Sequence, residues 1–138
     1  MAPHTAYVIR LLAPLGIVLV LLFAVRPVAA VAKDGRGEVR AAGVCGSGAR
    51  SKLRLKSDED GIELRFEVDH SRAGVVWRVV LVHERRIVWK GAVRVTRPNG
   101  SFEVRRTLRD FVGADAVIAR GVGPGGLVCR AAAVLPDS

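Results

Sequence analysis

The sequence predicts an all-β domain, an antiparallel sandwich of about seven short strands with immunoglobulin-like character, preceded by a signal peptide helix. Apolar and polar residues alternate with period two in short segments, which is typical of half-buried strands. Turn sequences rich in Gly, Pro, Asp and Asn separate these segments, and no stretch shows sustained helical spacing. A small β-barrel is the alternative arrangement. The segments predicted as strands are 37–45, 50–57, 62–69, 75–83, 87–96, 101–108, 115–122 and 127–134.

The length and composition indicate one globular domain rather than a fibrous or disordered chain. The chain has 138 residues, of which 50% are apolar, and this fraction is too high for a disordered or collagen-like protein. Lys and Arg number 22 against 13 Asp and Glu, which gives a net charge of +9. An excess of this size suggests an anionic partner or a surface that keeps the protein soluble.

The N-terminal segment predicts export. Leu11 to Val25 contains no charged residue, but at fifteen residues it is shorter than the roughly 20 needed to span a bilayer. Small residues at Ala30 and Ala32 favour cleavage after Ala32, which makes 1–32 the signal peptide and 33–138 the mature domain. Cleavage after Ala30 is the second possibility. An uncleaved segment would instead anchor the domain to the membrane with the domain outside, so the protein is expected to be secreted or associated with the cell envelope.

The two cysteines, Cys45 and Cys129, lie near the two ends of the predicted domain. Outside the cell, a lone pair of cysteines is more often bridged than free. The sequence therefore predicts a disulfide between them.

Two hairpins can be given a register from their charges, because opposite signs on directly facing residues are favourable. In the first, the turn at 58–61 places Ser57 opposite Ile62, and the pairs that follow are Arg50 with Asp69, Lys52 with Glu67, Leu53 with Phe66, Arg54 with Arg65, Leu55 with Leu64 and Lys56 with Glu63. In the second, the turn at 97–100 places Thr96 opposite Ser101, and the pairs are Val93 with Val104, Arg94 with Glu103 and Val95 with Phe102.

The segment 75–83 is apolar at nearly every position, which predicts a central strand. A three-residue connection, 84–86, would join it to the next strand and place Leu81 opposite Trp89 and Trp77 opposite Val93. A two-residue turn is disfavoured, because neither Glu84 nor Arg85 readily adopts the positive φ that such a turn requires. Both tryptophans are predicted to face the core.

Few residues suggest catalysis or cofactor binding. The mature domain contains His70 and His83, and a small hydrolase using one of them with distant acids is the alternative functional class. Adjacent residues of an extended chain point to opposite sides, so Asp69, His70 and Ser71 do not form a relay among themselves. The acidic turn at 58–61 has Lys56 where a calcium loop needs an aspartate. We therefore expect no catalytic residues, cofactor or metal.

Basic residues at outward positions form a possible anion-binding surface. The candidate partners are anionic polymers or lipid headgroups of the envelope, or another exported protein, and no sequence-specific recognition of nucleic acid is expected. Pairing with neighbouring acids is the alternative role of these charges. The predicted function is thus a non-enzymatic binding module, or a structural or inhibitory partner of another exported protein. The residues of the possible surface are Arg54, Arg65, Arg78, Arg85, Arg86, Lys90, Arg94 and Arg105.

Several short motifs carry a resemblance to known proteins. They are an early cysteine (Cys45), a W-x-V-x-L strand (Trp77, Val79, Leu81), a G-S-F-x-V strand (Gly100, Ser101, Phe102, Val104), a G-x-D turn (Gly113, Asp115) and a late V-C-R (Val128, Cys129, Arg130). With these motifs the chain resembles small exported two-cysteine proteins of unknown function from high-GC Gram-positive bacteria. The resemblance implies a β-sandwich and no activity.

Overall fold

The computed structural model describes residues 32–34, 37–69 and 71–137. The predicted signal peptide and His70 lie outside the described residues, apart from Ala32. The strands are β1 (Ala32–Asp34), β2 (Glu38–Cys45), β3 (Arg50–Asp58), β4 (Gly61–Asp69), β5 (Val76–His83), β6 (Arg86–Arg94), β7 (Phe102–Leu108), β8 (Asp115–Val122) and β9 (Val128–Leu135). A short 3-10 turn at Pro124–Gly126 is the sole helical element of the described part of the chain. The all-β prediction is confirmed.

The strands form one antiparallel, nearly closed sheet with the order β6-β5-β8-β9-β2-β3-β4-β7, and β1 adds to β2. The two end strands, β6 and β7, approach each other without pairing. Arg106 of β7 lies over the Trp89 ring of β6 with 4.2 Å between its guanidinium carbon and the ring centroid. A cation–π contact therefore covers the seam between the two ends of the sheet.

Strand β2 divides this sheet into two halves. Its residues Glu38 to Gly43 pair with β3, whereas Val44 and Cys45 pair with β9. Gly43 lies where the partner changes, and a Cβ atom there would lie 1.9 Å from Ser51 Oγ and 2.8 Å from the Arg130 carbonyl oxygen. Only glycine fits this close approach. We refer to β2, β3, β4 and β7 as the β4 half, and to β6, β5, β8 and β9 as the β8 half.

The predicted disulfide is confirmed. Cys45 and Cys129 are directly opposite each other on β2 and β9, with Cα atoms 4.1 Å apart. The bond joins residues 84 positions apart at the point where the two halves meet. It is compatible with an oxidising, extracellular environment.

The core contains the inward residues of both halves. Trp77 of β5 is fully buried, and its Nε1 donates a hydrogen bond to Ser71 Oγ at 2.8 Å. Its ring lies against Gly123, where a Cβ atom would be only 2.7 Å from it. The prediction of a core position is confirmed for Trp77, and Trp89 packs against the core while remaining half-buried.

The first predicted hairpin register is confirmed at every pair, from Arg50 opposite Asp69 to Ser57 opposite Ile62. The second is wrong, because β7 pairs with β4 rather than with β6. Phe66 faces Val104, and Val68 faces Phe102. The chain leaves β6 at Val95, which exchanges backbone hydrogen bonds with the segment before β5, and it then crosses to the other half of the sheet. The same residues of β7 point into the core whether it pairs with β4 or with β6. The alternation of apolar and polar residues therefore does not identify its partner.

The connection between β5 and β6 also differs from the prediction. Its length is two residues, and Glu84 and Arg85 adopt φ angles of 48° and 64°. The pairs Leu81 with Trp89 and Trp77 with Val93 nevertheless form as expected, because a β-bulge shifts the register between Leu81 and Val82. The bulge supplies the extra residue that the longer turn was expected to provide.

The positive φ of Arg85 predicts a stabilising substitution. Replacing Arg85 with Gly removes the steric penalty of the left-handed conformation and should raise the free energy of unfolding by about 1 kcal/mol, measured by urea denaturation. The matched control is Arg72→Gly, which removes the same charge from an exposed loop residue without positive φ. An equal or larger gain in the control would contradict this explanation.

Removing the disulfide should destabilise the whole domain. The double variant Cys45→Ala with Cys129→Ala frees a long loop in the unfolded chain, and we expect the free energy of unfolding to fall by about 3 to 5 kcal/mol. Chemical denaturation of the variant and of the oxidised wild type measures this difference. Equal midpoints would show that the other pairings of β2 hold the two halves together without the bond.

Candidate functional site

The outward face of the β4 half carries a row of four arginines. Arg40, Arg54, Arg65 and Arg105 occupy directly facing positions on β2, β3, β4 and β7. Facing like charges are unfavourable on their own. On this half, however, three glutamates two residues away along the strands form ion pairs with all four arginines.

Glu38 is the most tightly held of these glutamates. Its carboxylate accepts hydrogen bonds from Arg54 Nε at 2.8 Å and Nη2 at 2.7 Å, and from Arg40 Nε at 2.6 Å, while its side chain is 8% exposed. The two hydrogen bonds from Arg54, together with the one from Arg40, outweigh burial and lower the pKa of Glu38 from 4.5 to about 2. This charge cluster therefore has a structural role.

The other arginines of the row are paired in the same way. Arg65 Nε lies 2.5 Å from Glu63, and the hydrogen bond from Arg65 lowers the pKa of Glu63. Arg105 Nη2 lies 2.8 Å from Glu103. The outward face of the β4 half thus has little unpaired positive charge along this row.

The lowered pKa of Glu38 predicts a pH dependence of stability. The paired carboxylate stabilises the fold above the unfolded pKa of 4.5, and this contribution is lost as the pH falls from about 5 toward 2. Glu38→Gln should lower the free energy of unfolding by about 1 to 3 kcal/mol at pH 7 and flatten its decline between pH 5 and 2. Denaturant titrations across this pH range measure both effects.

Glu59→Gln is the control, since Glu59 is an exposed residue of the β3–β4 turn without an ion pair among the described residues. We expect its pH profile to match that of the wild type. A Glu38→Gln profile as steep as the wild-type profile would contradict the assigned role of Glu38.

The outward face of the β8 half is different, because it carries cations and apolar residues and no acid. Among the four strands of this half, Asp115 is the single acidic residue, and it is buried and points inward. None of the outward cations forms an ion pair within the described part of the chain. We name this surface the basic face, and its cations are Arg78, Lys90, Arg94, Arg120 and Arg130.

Three of these cations lie in one row across the strands. Lys90 faces Val80, Val80 faces Arg120, and Arg120 faces Arg130. Two arginines directly opposite each other, with no acid beside them, destabilise the sheet slightly. A bound anion would remove that repulsion, which is why this row is the strongest candidate for a binding site.

The structure divides the cations that the sequence suggested into three groups. Arg54, Arg65 and Arg105 lie on the β4 half in ion pairs, while Arg78, Lys90 and Arg94 lie on the basic face. Arg85 and Arg86 lie at the β5–β6 turn and its edge. The sequence interpretation overlooked Arg120 and Arg130, although the alternation in 115–122 and 127–134 placed both outward and could have identified them.

His83 lies at the end of β5 in a buried polar cluster. Its Nε2 is 2.5 Å from Asp115 Oδ1, both side chains are at most 2% exposed, and the Phe111 ring lies 5.0 Å from the imidazole. A hydrogen bond to Asp115 is the main cause of a raised pKa at Asp110. The fold therefore gives His83 a carboxylate partner 32 residues away, which sequence spacing did not reveal.

Three donors of this cluster could hold a metal ion. The ligand atoms of His83, Glu84 and Asp115 all lie within 4.8 Å of one another, and these are zinc-type donors. Each donor already has a partner in the protein, however, since Glu84 Oε1 accepts a hydrogen bond from Ala116 N at 2.6 Å and His83 bonds Asp115. The cluster fastens the β5–β6 turn to β8, and this structural role accounts for its geometry.

Comparison of the chain with protein families, curated proteins and solved structures found no match. Within the described residues, no helix has the length and apolar character needed to cross a bilayer.

Proposed function

We propose that this protein is an exported, non-enzymatic binding module that attaches through its basic face to anionic polymers or surfaces outside the cell. The observation that carries the proposal is the segregation of charge. One outward face interleaves its cations with acids and holds four arginines in ion pairs, whereas the other has five cations without an acid. Unpaired cations on one face create a positive potential that attracts polyanions. The apolar segment at 11–25 and the disulfide support the proposed export.

The spacing of the cations suits a ligand with repeated negative groups. Neighbouring strands lie about 4.8 Å apart, so Arg120 and Arg130 are separated by roughly that distance, and Lys90 lies roughly 10 Å from Arg120. A linear polyanion or a layer of headgroups could contact all three. Catalysis by His83 has less support, because both His83 and Asp115 are buried and bonded to each other.

We further propose an immunoglobulin-like sandwich as the finer description of the fold. Two groups of neighbouring strands are consistent with the two sheets of such domains. One group is β3, β4 and β7, and the other is β6, β5, β8 and β9. Trp77 supports this proposal, because immunoglobulin domains carry a buried tryptophan on their third strand, called strand C. Trp77 is buried on β5, which has the corresponding position. The disulfide differs from that of antibody domains, because it joins β2 to β9.

Charge removal on the basic face should weaken binding to a polyanion. The variant Arg120→Gln with Arg130→Gln should bind inorganic polyphosphate at least tenfold more weakly at low salt, and its log-log salt dependence should be shallower by roughly two. Titration calorimetry of the exported protein across a salt series measures both quantities. Because the variant also removes facing like charges, it should be at least as stable as the wild type.

Lys52→Gln with Lys56→Gln is the matched control, since it removes the same charge from exposed positions of the β4 half. We expect this control to keep most of the affinity and the wild-type salt slope. Equal losses in the two variants would mean that binding follows net charge alone. Absence of binding by the wild type at low salt would overturn the proposal.

A further inference from the structure

The exposed apolar residues of the domain are concentrated at one end. Seven large apolar side chains are exposed among the described residues, and five of them lie at the end formed by the β5–β6 turn, the loop before β8 and the last residues of β9. We name this surface the apolar end. Its residues are Ile87, Val88, Phe111, Val112 and Val134.

Contacts place these segments together. Val88 and Phe111 line one surface depression with His83 and the turn residues, and the Phe111 ring packs on His83. Val134 faces Ala116, whose backbone amide is held by Glu84 of the turn. The three segments therefore form one continuous end of the molecule.

The degree of exposure is unusual for a folded domain. Val112 is as exposed as in an extended chain, with a relative accessibility of 104%, and Ile87 and Val134 are 65% and 53% exposed. Scattered exposed apolar residues are ordinary, but a cluster of this kind on loop tips and strand ends marks an interaction surface.

The apolar end continues directly into the basic face. Ile87 faces Val82, Val82 faces Ile118, and Ile118 faces Ala132, which makes an apolar row across the outward face of the β8 half. The row containing Arg120 and Arg130 lies two residues further along the strands, at a distance of about 7 Å. Moving along the outward face from the apolar end, the apolar row therefore comes first and the cationic row second.

Charges at the apolar end itself are mixed. Arg85, Arg86 and Arg109 lie there, and the guanidinium of Arg109 is 5.5 Å from the Phe111 ring centroid. Glu84, Asp110 and Asp137 are the acids near them, and Glu84 accepts a hydrogen bond from the Ala116 amide. The net positive charge that would attract an anionic ligand therefore comes from the basic face rather than from the end.

We propose that the apolar end inserts into the interface of a lipid bilayer with anionic headgroups, while the cations of the basic face contact the lipid phosphates. Only a bilayer offers an acyl layer and a phosphate layer at depths that match these two surfaces. A soluble polyanion would leave the apolar end exposed to water. A second copy packed face to face would bring the unpaired arginines of both copies together. The electrostatic part of this inference rests on the proposed function.

Vesicle binding tests the insertion. The exported protein is sedimented with vesicles of phosphatidylcholine, with or without one-quarter phosphatidylglycerol, at 50 mM and 500 mM salt. We expect binding to the anionic vesicles that survives in part at high salt. The variant Ile87→Ser with Val112→Ser should lose at least tenfold in vesicle affinity while retaining wild-type affinity for polyphosphate. Both residues are largely exposed, so the fold should be unaffected.

The control is Val44→Ser with Val76→Ser. It removes two exposed apolar side chains that face Arg130 and Arg94 on the basic face, away from the apolar end, and it keeps every cation. It should bind vesicles like the wild type. As a second readout, Val112→Trp should show blue-shifted fluorescence on anionic vesicles and quenching by brominated acyl chains.

The outcomes separate the two proposals. Wild-type vesicle affinity in the Ile87 and Val112 variant, or no vesicle binding with polyphosphate binding intact, would overturn insertion and leave the proposed function standing. Absence of wild-type binding to both anionic vesicles and polyphosphate would overturn the insertion and the proposed function together. Analytical ultracentrifugation provides a further outcome. If the wild type forms concentration-dependent dimers and the Ile87 and Val112 variant does not, a second copy of the chain covers the apolar end, and insertion is overturned.

Discussion

The architecture depends on one strand, β2, that joins the two halves of the sheet. Strand β2 gives its first six residues to β3 and its last two to β9, so the two halves of the sheet are joined through a single segment. Gly43 permits the change of partner, because any side chain there would collide with Ser51 and with the backbone of β9. The disulfide then fixes β2 to β9 immediately beyond this point. The orientation of each outward face follows from this junction.

The junction separates two outward surfaces in which the arginines have different surroundings. Arginines face one another across strands in both halves, at Arg54 and Arg65 in one and at Arg120 and Arg130 in the other. In the first half, glutamates on neighbouring rows make the arrangement a structural ion-pair network. In the second half no acid is present on the face, so the repulsion persists in the free protein. Proteins retain such unfavourable arrangements most readily where a ligand relieves them.

The all-β class, the β3–β4 register and the disulfide between Cys45 and Cys129 were predictable from the sequence, whereas the partner of β7, the length of the β5–β6 turn and the contact of His83 were not. The β3–β4 register followed from charge pairs across a short turn, because a slip of one residue would have exchanged the buried and exposed faces. The partner of β7 was missed because its alternation fits β4 and β6 equally well. The two-residue turn at Glu84 and Arg85 was missed because a bulge compensates for its length. The contact between His83 and Asp115 depends on strands that are remote in sequence, and propensity or spacing contains no information about it. The basic face was predicted only in part. The alternation of the strands showed which cations point outward, but the ion pair between Arg54 and Glu38 depends on the register of β2 against β3, which the sequence did not show.

We propose that the acid-free face of the β8 half is the surface that binds anionic ligands. Nuclear magnetic resonance tests this proposal by mapping the contact when inorganic polyphosphate is titrated into the isotopically labelled protein. We expect the largest chemical-shift changes at the backbone amides and arginine side chains of β5, β8 and β9, centred on Arg120 and Arg130. Shifts centred on β3 and β4, around Arg54 and Arg65, would contradict it.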